Sequence, residues 1–113
     1  MKAMLEQGDI VELDFDDPRG HEPAKRRPAV VMSVGRFNNI LSSLTMVCPI
    51  TSTDNRHPLH VFVESNGISY GYLCVEQLRS VDLTTRNYKA TGESLDSASL
   101  DNALDMIAAV FGI

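Results

Sequence analysis

Five residues ahead of a single proline carry most of the chemistry this chain offers. His21 and Glu22 sit in a short polar loop that runs on through Lys25, Arg26 and Arg27 to Pro28. Imidazole and carboxylate groups titrate near neutrality after modest shifts, so either could accept or donate a proton. An arginine directly before a rigid proline is well placed to grip a phosphate through two parallel hydrogen bonds. Thr51 follows the apolar run Leu44 to Ile50, where a hydroxyl could orient a phosphate or a ribose 2′-OH. Each residue also has an ordinary reading. The basic triplet can be a solvated turn, His21 and Glu22 surface loop residues, and Thr51 the cap of a turn. The sequence holds no Gly-x-Ser-x-Gly elbow, Ser/His/Asp order or glycine-rich phosphate loop, so covalent catalysis and nucleotide binding have little behind them.

The rest of the composition narrows the field. A net charge of −5 argues against a protein that coats nucleic acid nonspecifically. A small site with a few cations stays open, because local charge decides what a cleft binds. Cys48 and Cys74 each lie in an apolar segment and read as reduced core thiols. His21, His57 and His60 show no paired spacing with Cys or Glu, so no metal and no cofactor is expected. No apolar run approaches the ~20 residues of a membrane span. Met1 to Glu6 lacks the apolar core of a signal peptide, making the cytoplasm the expected location.

The elements that must position these residues are mostly strands. Incomplete alternation over residues 9–15 suggests a half-buried strand, and two prolines and a glycine make 16–23 a loop. Further strands are expected over 28–34, 44–50, 60–64, 71–75 and 79–83. Arg36 to Asn39 reads as a turn, as does Asn66-Gly67, with a brief turn or helical piece at Glu76-Gln77. Leu100, Leu104, Ile107 and Phe111 recur at helical spacing, predicting a helix over about 98–111 capped by Ser97 or Ser99 and stopped by Gly112. These elements make one domain over 1–113, mainly β with a C-terminal helix (an α+β, barrel-like fold).

In order and spacing, Gly8-Asp9-Ile10-Val11, Gly20-His21-Glu22, Arg27-Pro28-Ala29-Val30-Val31 and Pro49-Ile50-Thr51-Ser52 resemble the MazF/PemK family of toxin endoribonucleases. The run from Gly71 to Asp82, GYLCVEQLRSVD, looks like that family's later strand pair. The resemblance implies a small SH3-like β-barrel of the CcdB/PemK type, usually a homodimer. It also implies a metal-independent ribonuclease that cuts single-stranded RNA at short sequences and is restrained by an antitoxin. By the family pattern Arg27 and Thr51 match the catalytic Arg and Thr. His21 and Glu22 match a loop pair used for acid/base work or RNA contact. One branch uses an Arg and an Asp on the later strand, where this chain has Cys74 and Glu76.

The implied reaction needs no metal because RNA brings its own nucleophile, the 2′-OH, beside the scissile phosphate. Products would be a 2′,3′-cyclic phosphate and a 5′-hydroxyl. RNA contacts are expected from Lys25, Arg26, Ser52, Asn55, Arg56, His57, Glu76 and Gln77. With aromatics at 6% of residues, edge hydrogen bonds from Asn55, Arg56 and His57 are expected rather than a stacking platform. The rival readings are a CcdB-like toxin that acts on gyrase by protein contact, and a catalytically inactive toxin-like binding domain.

Overall fold

The computed structural model describes residues 5–15, 26–40 and 44–113. Their seven strands are β1 (Asp9–Asp14), β2 (Arg26–Val31), β3 (Leu44–Thr51), β4 (His60–Ser65), β5 (Ile68–Cys74), β6 (Arg79–Asp82) and β7 (Lys89–Ser94). Two helices join them, α1 (Gly35–Ile40) after β2 and α2 (Ser97–Val110) at the end. Neighbours run in the order β4-β5-β3-β2-β1-β7, with β6 also on β3.

Strand β3 explains the curl. Val47 pairs with Val31 of β2 and with Arg79 of β6, so β2 takes one edge and β6 the other. Further along, Ile50 and Thr51 pair with Leu73 and Tyr72 of β5. Two strands therefore share one edge of β3 in succession. The sheet forks there and closes toward a half-barrel, consistent with the small SH3-like barrel expected from sequence.

Both faces of the sheet are packed, and the strand period of two sorts the residues. One face buries Ile10, Val30, Cys48, Ile50, Leu73 and Val61 under α2, whose Ala103, Leu100 and Leu104 close that core. The opposite face buries Val11, Leu13, Ala29, Val31 and Val47 against Val81, Leu83 and Tyr88. That second core lies over β1, β2, the early part of β3 and β6. On the same face, the end of β3 with β5 and β4 carries Thr51, half-buried Tyr72 and exposed Phe62.

Several local expectations change. The predicted turn at Arg36 to Asn39 is the short helix α1, anchored by buried Asn38, whose Nδ2 donates to the carbonyls of Leu5 and Ser33. Strand β7 was not predicted at all; its sequence, KATGES, has almost no apolar content, and it forms by pairing with β1. Helix α2 begins one residue before the predicted start, and its cap is Asp96 rather than a serine. The Asp96 carboxylate accepts from the Ser99 N–H at 3.0 Å. At the other end Gly112, with φ +71°, turns the chain in the left-handed conformation that terminates helices. Phe111 falls at that C-cap and is 67% exposed, so the helical period that placed it on the core stripe runs one position too far.

Candidate active site

Arg27 lies on β2 opposite Leu13 of β1, one strand residue after Arg26. Successive strand residues point to opposite faces, so the two arginines part ways. Arg26 is held by structure: its guanidinium donates to the Asn87 carbonyl at 2.7 Å and pairs with Asp14 at 3.3 Å. Arg27 shares its face with Ala29 and Val31, the face on which the second core opens toward β5. Ala29 is paired with Pro49. Arg27 and Thr51 each lie two residues beyond that pair, in the directions that bring antiparallel partners together.

Thr51 ends β3 opposite Tyr72 of β5. Its Oγ1 accepts from the Thr53 N–H at 3.3 Å, the turn-capping role open to any threonine at a strand end, and this leaves the hydroxyl hydrogen directed elsewhere. The approach of β5 is unusually close. A Cβ on Gly71, whose φ is +120°, would lie 2.3 Å from the Thr51 carbonyl oxygen. Glycine at 71 therefore fixes how near β5 comes to the threonine.

Cys74 ends β5. It is buried, and burial followed by the Glu76 carboxylate pushes its thiol up; the Thr51 backbone N–H and the Arg27 guanidinium pull it back. Groups from β2, β3 and the turn after β5 thus act on one sulfur. Cys48 lies deeper, its thiol pushed up to about 12 by burial first and then by Cys74 and Glu76. Both cysteines are free and buried, as core thiols should be.

Glu76 opens a feature that sequence spacing did not disclose. It sits in a single 3₁₀ turn, Val75–Gln77, directly after β5. His60 Nε2 lies 3.0 Å from its Oε2, and His57 Nε2 lies 4.0 Å from the same oxygen. The two imidazoles stack with centroids 4.6 Å apart and planes 19° from parallel. The Leu59 N–H donates to His57 Nδ1 at 3.0 Å, so the neutral ring carries its proton on Nε2, facing Glu76. The His60 side chain is 6% exposed, and its Nδ1 has no hydrogen-bond partner among the described residues. That favours the Nε2–H form, which donates to Glu76. These three side chains have the makeup of a metal-ligand set. A ligating histidine, however, donates its second N–H to a partner. Here one second nitrogen already accepts and the other has no partner among the described residues, so the arrangement suits two N–H donors on a carboxylate. Partial burial pushes the Glu76 carboxyl up, but the His60 hydrogen bond, its own backbone N–H and both imidazoles outweigh that and hold it below its ordinary value.

The remaining predicted contacts divide by exposure. Ser52, Asn55, Arg56 and Gln77 are exposed, and His57 is half-buried. Arg56 adopts φ 54°, its backbone N–H bonded to Asp54 at 2.9 Å. His21, Glu22 and Lys25 lie outside the described residues. His60 was missed because its partner comes 16 residues later, across the β4–β5 hairpin. Its only sequence signal was the position after Pro58-Leu59, opening an alternating strand.

The chain's residues 6–111 match the model of the PemK-like, MazF-like toxin of type II toxin-antitoxin system. It is 38% identical to the endoribonuclease toxin ChpB of Escherichia coli (strain K12), with 96% of each chain covered. It is 31% identical to the endoribonuclease toxin MazF of the same strain over 77% of each. The MazE–MazF crystal structure (form II) from Deinococcus radiodurans superposes with a TM-score of 0.87 at 26% identity, covering 99% of both chains.

Proposed function

The chain belongs to the PemK-like, MazF-like toxins of type II toxin-antitoxin systems, and from that premise we propose that its open sheet face cuts single-stranded RNA without a metal. It is an endoribonuclease, as its relatives ChpB and MazF are named. The observation that supports the mechanism is the register that puts Arg27 and Thr51 each two residues beyond the Ala29–Pro49 pair, with both acting on the Cys74 thiol.

In this reading the substrate supplies the nucleophile, and the protein supplies geometry and charge. The 2′-OH attacks the adjacent phosphorus and the 5′-oxygen of the next nucleotide leaves, giving a 2′,3′-cyclic phosphate and a 5′-hydroxyl. Arg27 meets the extra negative charge of the pentacoordinate phosphorane with two parallel N–H donors. Thr51 donates its hydroxyl hydrogen to a non-bridging oxygen. The 2′-OH proton goes to His21 or Glu22, and the departing 5′-oxygen, polarised by Arg27, takes its proton from water to become the 5′-hydroxyl. Glu76 is ionised and held by the imidazoles, which suits an acceptor for a base edge. With Cys74 at the alternative branch's arginine position, no cation stands there to act as acid.

The partners follow. A toxin of this family is restrained by a cognate antitoxin, whose carboxylates can occupy the Arg27 region in place of RNA phosphates. A second copy of the chain would complete a homodimer, and mRNA as substrate places the action in the cytoplasm. No helix among the described residues is long and apolar enough to cross a membrane. A substrate carrying 2′-deoxyribose at the mapped cut site tests the chemistry. It should resist cleavage there while neighbouring RNA is still bound, and efficient cutting of it would remove the 2′-OH mechanism.

A further inference from the structure

Composition argued against a stacking platform, yet the fold gathers two of the chain's few aromatic side chains next to Thr51. Phe62 and Tyr72 are directly opposed across β4 and β5, with ring centroids 5.5 Å apart and planes inclined at 57°. Tyr72 is in turn the direct partner of Thr51. Across the sheet the order is therefore Phe62, Tyr72, Thr51, each one strand spacing of about 4.8 Å from the next. Val61 and Val63, flanking Phe62, are buried in the core under α2, so Phe62 points to the open face and is 47% exposed. The tilt lets Tyr72 brace Phe62 while leaving a flat aromatic face toward solvent.

Charge divides this surface. Arg27 lies on the β2 side of Thr51, and the ionised Glu76 lies beyond Cys74 with its imidazoles. A phosphate is favoured near the first and repelled by the second. The neutral part of a nucleotide belongs over β4 and β5, and the neutral part is the base. We propose that Phe62 and Tyr72 form the stacking platform for a nucleobase adjoining the phosphate held by Arg27 and Thr51. The proposal rests on the ribonuclease reading and adds a subsite of stated chemistry to it. Stacking on Phe62 accepts any base, because each has a π face. The platform therefore supplies affinity and register, and sequence choice falls to edge contacts.

The test first maps a cut in mixed single-stranded RNA. An oligonucleotide spanning that cut, blocked by 2′-deoxyribose at the attacking position, then serves as a binding probe. Phe62→Leu keeps apolar bulk and loses the ring; it should weaken binding roughly 5- to 150-fold, the worth of one base–ring stack. Phe62→Trp should restore it, and Tyr72→Leu should weaken binding in the same direction. A probe with an abasic nucleotide beside the cut should bind the wild-type protein as weakly as the intact probe binds Phe62→Leu. On that abasic probe Phe62→Leu should cost little more. Unchanged binding by both leucine variants, each with a cooperative melt, overturns the platform. So does an equal loss on intact and abasic probes, or a Phe62→Leu defect confined to the mass of the dimer or to antitoxin binding. Cleavage abolished by Arg27→Ala alongside an indifferent Phe62→Leu removes the platform and leaves the ribonuclease. A wild-type protein that neither binds nor cuts the RNA removes the reading beneath both.

Discussion

The two faces of one sheet do different work, and β3 shows how. Cys48 and Ile50 point under α2 into a closed apolar core, while Thr51, one residue on, turns to the face that opens beside β5. The closed face holds residues with no measurable exposure, including Ile10, Val30 and Leu73. The open face holds a guanidinium, a hydroxyl, a carboxylate clamped by two imidazoles, and an exposed aromatic pair. The lesson is that rigidity and chemistry are separated by strand alternation rather than by distance. Changes under α2 should therefore read out mainly as stability, and changes at the open end of the other face, beyond its own buried core of Val11, Leu13, Ala29, Val31 and Val47, mainly as activity.

Leu73→Ala presses that division hardest. Leu73 is fully buried on the closed face, and its truncation should cost about 2–5 kcal/mol of folding free energy, measured by urea melts at constant m-value. Activity per folded molecule should change little. Gly71→Ala should cross the division. A Cβ there meets the Thr51 carbonyl, and the φ of +120° disfavours any side chain. Stability should fall by more than about 1 kcal/mol, and activity should fall with it because β5 is pushed off Thr51; a variant that is less stable but fully active would separate the glycine from the site. The smallest effect is expected at Glu76. Its carboxyl is held below the ordinary 4.5 in the folded state, so its contribution is present above the unfolded value and is lost as pH falls through the folded one. Glu76→Gln should cost up to about 1 kcal/mol at neutral pH, and the two proteins should converge in acid. A gap that widens on acidification would reverse the sign.

Much of this was legible in the sequence, and the gaps have physical causes. The terminal helix and most strands announced themselves through apolar period, while Arg27 and Thr51 are proposed from their residue types and the family resemblance. Strand β7 stayed hidden because it buries almost nothing and exists to pair with the edge of β1. The cap fell to Asp96 because the aspartate, not the following serines, sits at the last non-helical position. The imidazole–carboxylate cluster and the Phe62–Tyr72 pair were invisible for a common reason. Each joins residues across the β4–β5 hairpin, and pairing register is not a property of composition. A low aromatic fraction says how many rings there are and nothing about where the sheet collects them.

A metal-independent ribonuclease centred on Arg27, as proposed for the open face, has to cut RNA in EDTA and has to need that guanidinium. Wild-type protein and Arg27→Ala should be compared on the mapped RNA cut in excess EDTA, with the ends of the products identified. Wild type should cut under EDTA to leave a 2′,3′-cyclic phosphate, and the variant should fold normally but be slower by about 10²–10³-fold, the worth of a donor to the transition-state charge. Cleavage by Arg27→Ala at the wild-type rate, or wild-type cleavage that stops in EDTA, would contradict the proposal.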